Sequence, residues 1–238
     1  MKKTIIVLMA LAGVATATES DVTPITLGVT FGNCAQTSPS AVTLTIDSGM
    51  TGSVVSLVQT GTTTNVTLQT AGEAGLDEAV FTPNTNVGNG SPWTATFNFD
   101  DVNKALTSLD SINLGVVLFS SSGVYQTSSA VWTGDITFTA TITDSTTASQ
   151  LGTFAYTLTP GSGNGSTPFE ITLEGNPIDL TNVSSFNMEL KLTETLQSGT
   201  FAGLSGMGFK GTPVVPEPTT ATLFLLALAG LAARRRRK

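Results

Sequence analysis

The 238-residue sequence contains no histidine and a single cysteine, Cys34. Without histidine the chain cannot build a Ser-His-Asp or Cys-His nucleophile or a histidine zinc site, and one thiol is too few for a thiolate metal centre. A lone cysteine also rules out an internal disulfide, so stability must come from core burial or from bound cations. We interpret Cys34 as a small buried hydrophobic residue, with intermolecular pairing as the alternative.

Two glycine-rich segments have part of the composition of catalytic loops. Gly203-Leu204-Ser205-Gly206 lacks the final glycine of a nucleophile elbow, and no histidine is present to activate Ser205. Gly161-Ser162-Gly163-Asn164-Gly165 lacks the lysine and the following helix of a phosphate-binding loop. We interpret both segments as loops without catalytic function.

Paired carboxylates are the remaining route to hydrolysis, because glycosidases use two acids that face each other. Glu170 and Glu174 share one face of a predicted strand. That face lies opposite the apolar side chains of the same strand, so both carboxylates should be solvated. The sequence therefore favours a protein that is not an enzyme.

Acidic pairs in loops are typical of calcium sites, because calcium takes hard oxygen ligands from side chains and backbone. Asp100 and Asp101 end the strand that begins at Trp93, and Asp77-Glu78 lies in a predicted loop. No EF-hand-like or nonapeptide loop accompanies them. Asp100 and Asp101 are therefore weak calcium candidates, and the alternative is that they cap a turn or a helix.

Large aromatic residues other than phenylalanine are scarce, with two tryptophans and two tyrosines. Sugar rings stack on flat aromatic rings, so these four residues are the candidates for a carbohydrate-binding surface. Trp93 and Tyr156 fall on the core-facing phase of predicted strands. Trp132 and Tyr125, near strand ends, remain as candidates, with core filling or edge packing as the alternative.

The body of the chain alternates apolar and hydroxyl side chains in short segments, which predicts half-buried β-strands. The clearest alternations are Val42-Leu44-Ile46, Trp93-Ala95-Phe97-Phe99, Ile136-Phe138-Ala140-Ile142, Phe154-Tyr156-Leu158, Phe169-Ile171-Leu173 and Phe186-Met188-Leu190-Leu192. Turn signals such as Asp47-Ser48-Gly49 separate them. We predict an all-β fold, an antiparallel β-sandwich of jelly-roll type.

One segment departs from the strand pattern. Between Asp101 and Leu109 the apolar residues recur at helical spacing, at Val102, Ala105, Leu106 and Leu109. Because Asp101 is a suitable capping residue, the pattern predicts one short helix.

The N-terminus has the composition of a secretory signal peptide. Met1-Lys2-Lys3 is a charged start, and residues 5–11 are an apolar stretch of suitable length. The small residues Ala15 and Ala17 supply a cleavage site. We predict a signal peptide over residues 1–17, handled by the export machinery, and a mature protein that begins near Thr18.

The C-terminus combines three segments. Pro216, Glu217 and Pro218 precede an apolar run from Thr219 to Ala233, and five cations follow it: Arg234, Arg235, Arg236, Arg237 and Lys238. A helix needs about 20 apolar residues to cross a bilayer, so this run spans one if the helix starts near Val214 and the arginines extend to the headgroups. The cations should stay on the cytoplasmic side. We predict a single hydrophobic helix, with a permanent membrane anchor as the alternative to a temporary one.

In this order these segments resemble the PEP-CTERM sorting signal of diderm bacteria, with the motif at 215–218, the helix at 219–233 and the basic tail at 234–238. The resemblance implies cleavage near the motif by an exosortase, a membrane transpeptidase, and then release or attachment at the cell surface. Such proteins usually belong to strains that make exopolysaccharide. The domain has also been labelled an ice-binding C-terminal domain, although the threonine spacing here is too irregular for an ice-binding lattice.

Removing the signal peptide and the sorting signal, residues 213–238, leaves an ectodomain over residues 18–212 with three lysines. Sixteen acidic residues lie outside the two signals, so the net charge is near −13, which argues against nucleic acid as a partner. We predict a non-catalytic surface or matrix protein, briefly anchored in the inner membrane, with a structural or adhesive role in the extracellular polymer. The alternative is a carbohydrate-binding module for extracellular polysaccharide, with calcium as an optional cofactor.

Overall fold

The computed structural model describes residues 23–32, 39–59, 62–63, 66–69, 80–83, 92–120, 135–159, 169–193 and 200–215. These residues form strands and two short 3₁₀ turns, Pro39–Ala41 and Val102–Lys104. The strands are β1 Ile25–Gly32, β2 Thr43–Ile46, β3 Thr51–Gln59, β4 Thr62–Thr63, β5 Val66–Gln69, β6 Val80–Pro83, β7 Trp93–Asp100, β8 Ser108–Ser120, β9 Ile136–Asp144, β10 Gln150–Leu158, β11 Phe169–Asp179, β12 Ser185–Thr193 and β13 Thr200–Gly211.

Alternation of side chains explains the regularity of the central strands. In β7, β9 and β12 buried apolar residues alternate with more exposed polar ones along the strand. β12 lies between β7 and β9 and pairs with both in full register, so that the buried faces of the three strands form one continuous surface. The prediction of an all-β antiparallel protein is confirmed.

Ten strands close into a ring, in the order β1-β2-β3-β7-β12-β9-β10-β11-β8-β13 and back to β1. Every pairing is antiparallel, while β4 pairs with β3 and the β5–β6 pair extends from β13. The prediction of two separate sandwich sheets is wrong for this arrangement. The reason is that β1 pairs along one edge with β2 and along the other with β13, so hydrogen bonding continues without a break.

Phenylalanine rings fill the interior of the ring. Phe99 packs edge to face on Phe209, with ring centroids 4.8 Å apart, and Phe31 stacks on Phe81 at 5.1 Å. Phe97 contacts Phe31, Phe81 and Phe99 and so joins the two pairs. Because these residues belong to β1, β6, β7 and β13, the aromatic cluster ties non-adjacent strands together across the core.

The helix predicted between Asp101 and Leu109 is absent from the described structure. Val102–Lys104 is a single 3₁₀ turn, Leu106 forms a bridge with Pro213, and β8 begins at Ser108. Val102, Leu106 and Leu109 are buried by a turn, a bridge and a strand in succession, and Ala105 is half-buried, so the helical spacing arises without a helix. Asp101 provides no side-chain cap and adopts a left-handed backbone conformation with φ at 59°.

Among the described residues no helix is long and apolar enough to cross a membrane. Several predicted features lie outside the described residues. They are the signal peptide with Ala15 and Ala17, Cys34, the Gly161–Gly165 segment, Tyr125, Trp132, the motif Pro216-Glu217-Pro218, the apolar run and the basic tail.

Candidate functional site

Strand β13 is unusually rich in glycine, and its Gly203-Leu204-Ser205-Gly206 segment is part of the strand. The prediction of a loop there is therefore wrong. A β-bulge between Leu204 and Gly206 turns both Ser205 and Gly206 away from the interior, while Leu204 and Met207 stay buried. Glycine within a strand often marks a bulge or a close approach of another group, and both occur here.

Four glycines meet on the outer face of β8, β13 and β1. Gly115 of β8 pairs with Gly206 of β13, and Gly208 of β13 pairs with Gly28 of β1. Because none of them carries a side chain, they form the floor of a groove of about 270 Å³. Glycine within a strand costs about 0.5–1 kcal/mol relative to alanine, so this bare patch lowers the stability of the sheet.

Polar side chains form the walls of the groove. On the β11 side, Glu170 stands beside Gly115 and Thr172 beside Asn113, and the Thr172 hydroxyl donates a hydrogen bond of 3.1 Å to the Asn113 amide oxygen. On the β1 side the wall contains Thr26 and Thr30. The groove therefore offers carboxylate, amide and hydroxyl groups along its length.

The floor glycines differ in what surrounds them. A Cβ at Gly115 would overlap the Ser205 hydroxyl, and one at Gly28 would lie 2.7 Å from a carboxylate oxygen of Asp47. At Gly206 the nearest described atom is the carbonyl oxygen of Val29 at 3.4 Å, an ordinary contact distance. A side chain at Gly115 or Gly28 would therefore require the Ser205 or Asp47 side chain to move, whereas one at Gly206 would meet no such contact.

A second hollow opens beside the groove, where β10 and β11 separate. These strands pair at Ala155 with Glu174 and at one neighbouring position, after which a space of about 310 Å³ lies between them. The half-buried Tyr156 lines this hollow, and Glu170 lines both the hollow and the groove. Tyr156 also packs against the core, as its strand phase predicts.

The structure confirms that Glu170 and Glu174 are exposed on one face of β11. Four residues of extended strand separate their Cα atoms by about 13 Å. Glycosidase carboxyl groups lie about 5–9.5 Å apart, so the backbone separation does not favour a glycosidase pair.

The other residues that the sequence analysis considered for calcium or sugar binding, where they are described, make contacts within the protein. The Asp101 carboxylate forms an ion pair of 2.6 Å with Lys104, and Asp100 accepts a hydrogen bond of 2.8 Å from the Asn98 amide. Among the described residues no group of three or more acidic, cysteine or histidine side chains converges as a metal site. Trp93 is buried, as predicted, and donates a hydrogen bond to Ala202.

The C-terminal segment follows directly after this fold. The Val214 N–H donates a hydrogen bond of 3.0 Å to the Ala105 carbonyl. Residues 214–238 match the family model of the PEP-CTERM protein-sorting motif. This chain carries a PEP-CTERM protein-sorting motif. The motif indicates an exported, exosortase-processed surface protein.

Solved structures resemble the PEP-CTERM protein only distantly. TmCBM61 in complex with β-1,4-galactotriose has a TM-score of 0.35 and 6% identity, covering 69% of this chain and 89% of its own. A family 11 carbohydrate-binding module from Clostridium thermocellum, in complex with a β-1,3-1,4-mixed-linked tetrasaccharide, has a TM-score of 0.33 and 12% identity over 78% and 96%. The non-crystalline-cellulose-specific module CBM28 has a TM-score of 0.33 and 14% identity over 60% and 87%.

These TM-scores lie below 0.5, so the similarities carry no inference about what the PEP-CTERM protein binds. No curated protein matches its sequence.

The sequence analysis missed the groove of the PEP-CTERM protein. The available signal was the alternation of glycine with large apolar residues in Gly206-Met207-Gly208-Phe209, which is a strand pattern with one bare face. That pattern could have identified β13 as a strand. It could not have shown that Gly115 and Gly28 lie beside it, because those residues are distant in the sequence.

Proposed function

We propose that this protein is a non-catalytic component of the cell surface or extracellular matrix, with a structural or adhesive role in the extracellular polymer. The sorting motif over residues 214–238 is the observation that carries the proposal. We further propose a signal peptide over residues 1–17, a temporary inner-membrane helix over residues 219–233, and a basic tail that keeps the C-terminus in the cytoplasm.

The position of the motif relative to the fold supports processing by an exosortase. Leu106 pairs with Pro213, and Val214 is the last described residue with a backbone hydrogen bond to the body. Only Val215 separates this pairing from Pro216-Glu217-Pro218. Cleavage near the motif would therefore release the described body with its final backbone pair intact.

The intact mass of the protein from envelope and medium fractions of its native host tests this proposal. We expect a species that begins near Thr18 and ends close to Pro216, with any additional mass identifying a covalent attachment. Replacing Pro216-Glu217-Pro218 by alanines should leave the C-terminus uncleaved. The matched control replaces the adjacent Thr219 and Thr220 by alanine and should be processed normally.

Two results would contradict the sorting proposal. An unchanged mature mass in the triple-alanine variant would show that the motif is not used. A protein that persists in the membrane of the unaltered strain with Arg234 to Lys238 intact would be a permanently anchored ectodomain.

A second candidate function is carbohydrate binding, and the polar groove, which meets the hollow lined by Tyr156 at Glu170, favours it. Trp132 and Tyr125 remain candidate stacking residues for such a ligand. A sugar that binds the protein equally well after both residues are replaced by alanine would exclude them from the binding surface.

A further inference from the structure

We propose that the outer-face groove binds a neutral oligosaccharide chain, which crosses β11, β8, β13 and β1 over the bare backbone of Gly206. This inference names a ligand for the adhesive role proposed above, and it rests on that role for the meeting of protein and polymer outside the cell. The ligand site differs from the sequence candidates Trp132 and Tyr125.

The first argument is the open floor at Gly206. Its nearest described neighbour is the Val29 carbonyl oxygen at 3.4 Å from a hypothetical Cβ, so a side chain would fit the fold there. Glycine weakens the strand without being required by packing, and no positive φ demands it. Its absent side chain leaves the groove open, which is the arrangement expected where a ligand contacts the backbone.

The second argument is the hydroxyl of Ser205. Ser205 is only 8% exposed, lines the groove and lies over Gly115. Among the described residues its hydroxyl makes no hydrogen bond, yet it is not among the fully buried unpaired atoms, so the oxygen is accessible from the groove. A hydroxyl in this position can both donate to and accept from a sugar hydroxyl.

The charge of the groove selects a neutral ligand. Glu170 lines the groove, the Asp47 carboxylate lies over the floor glycine Gly28, and Lys210 lies one row away, paired with Ser111 and Thr26. A carboxylate accepts hydrogen bonds from sugar hydroxyls but repels an acidic polysaccharide. The neighbouring Asn113 amide and threonine hydroxyls add further hydrogen-bonding groups of both kinds.

The dimensions favour a chain of several sugars over a single one. Adjacent strands are about 4.8 Å apart, so the four strands from β11 to β1 provide a path of about 14 Å. Beyond Glu170 the second hollow, which the half-buried Tyr156 lines, extends this path. An extended peptide fits less well, because the backbone groups of the floor already pair within the sheet and no strand edge is free there.

The experiment uses the protein purified from its native host and isothermal titration calorimetry. The probes are neutral glucan, galactan and mannan hexasaccharides, with a polygalacturonate oligosaccharide as the acidic probe. We expect one or more neutral probes to bind and the acidic probe to fail. Binding of the acidic probe alone, or of no neutral probe, would overturn the inference.

Variants then locate the site. Gly206→Val should abolish measurable binding while leaving the melting temperature equal or higher, and Gly49→Ala, in an exposed turn with no described atom within 4 Å of its added Cβ, should bind normally. Glu170→Gln changes an exposed strand residue, so it should fold normally and weaken binding several-fold. If Gly206→Val and Glu170→Gln both bind the sugar as tightly as the wild-type protein does, the ligand lies elsewhere and the inference is overturned.

The sorting and binding proposals fail separately. The intact mass reports export and cleavage, whereas calorimetry reports the groove. A correctly processed protein that binds no neutral hexasaccharide would overturn the groove assignment and leave the surface role standing.

Discussion

The indole N–H of Trp93 donates a hydrogen bond of 3.2 Å to the carbonyl oxygen of Ala202, 109 residues further along the chain. Trp93 begins β7 and Ala202 lies in β13, two strands that are not neighbours in the ring. Both residues are buried, so this bond crosses the interior. It connects distant parts of the ring through one directional contact across a largely apolar core.

Replacing Trp93 by phenylalanine should therefore destabilise the protein by about 1–3 kcal/mol, because a buried carbonyl loses its donor. Urea unfolding followed by circular dichroism would measure the change. Tyr156→Phe is a matched control, since it also removes one polar group from a ring and the described structure gives that hydroxyl no partner. Equal stabilities of the two variants would show that the Trp93 bond contributes nothing.

Gly211→Ala should destabilise the protein by about 1–3 kcal/mol, since the added methyl group would overlap the backbone carbonyl of Ser108 on the neighbouring strand. Gly206→Ala is the control in the same strand. It should stabilise the protein by about 0.5–1 kcal/mol, because alanine restricts the unfolded chain more than glycine does. Thermal melts of both variants would contradict this steric argument if the two shifts had the same sign.

Asp144 should make stability dependent on acidic pH. The backbone N–H of Thr146 donates to its carboxylate at 2.7 Å and that of Thr147 at 3.3 Å, and these bonds hold the pKa of Asp144 below its ordinary value. A lowered folded-state pKa stabilises the protein above the unfolded pKa, and that contribution is lost as the pH falls through the folded value.

The measurement is urea unfolding of wild type, Asp144→Asn and Asp144→Ala at neutral pH and near pH 2. Asp144→Asn keeps an acceptor oxygen but cannot ionise. Its free energy of unfolding should therefore fall below that of wild type at neutral pH, and this deficit should disappear in acid. Asp144→Ala should retain part of its deficit at both values. A deficit of Asp144→Asn that grows in acid would reverse the predicted sign.

Calcium should leave the melting temperature unchanged, because Asp101 already forms an ion pair with Lys104 and Asp100 already accepts a hydrogen bond from Asn98. A ligand that binds only the native state must raise the melting temperature, by an amount set by its concentration relative to its dissociation constant. Melts with chelator and with millimolar calcium would measure this. A rise that Asp100→Asn abolishes would support the calcium hypothesis instead.

Most strands could be predicted from the sequence because their signal is local. In β7, β9 and β12 apolar and polar residues alternate because successive side chains of a strand point to opposite faces. This pattern is complete within each segment. The segment from Asp101 to Leu109 was predicted wrongly for the same reason. Its helical spacing is local, whereas the bridge from Leu106 to Pro213 that decides its structure joins residues more than a hundred positions apart.

The candidate site was only partly accessible from sequence. The exposure of Glu170 and Glu174 followed from strand phase, but their place beside a groove did not. Ser205 was predicted to lie in a loop because its glycine neighbours are typical of loops, and its burial depends on a bulge and on the pairing of β13 with β8.

The sequence by itself determined the strand-forming segments and the sorting motif, because each of these patterns lies within one short stretch of consecutive residues. Only the tertiary structure decided that the ten strands close into a ring and that Gly28, Gly115, Gly206 and Gly208 share one face. The physical reason is that strand order and register depend on which distant segments pair. Those pairings depend on how the whole core is buried, so no single segment of the chain determines them.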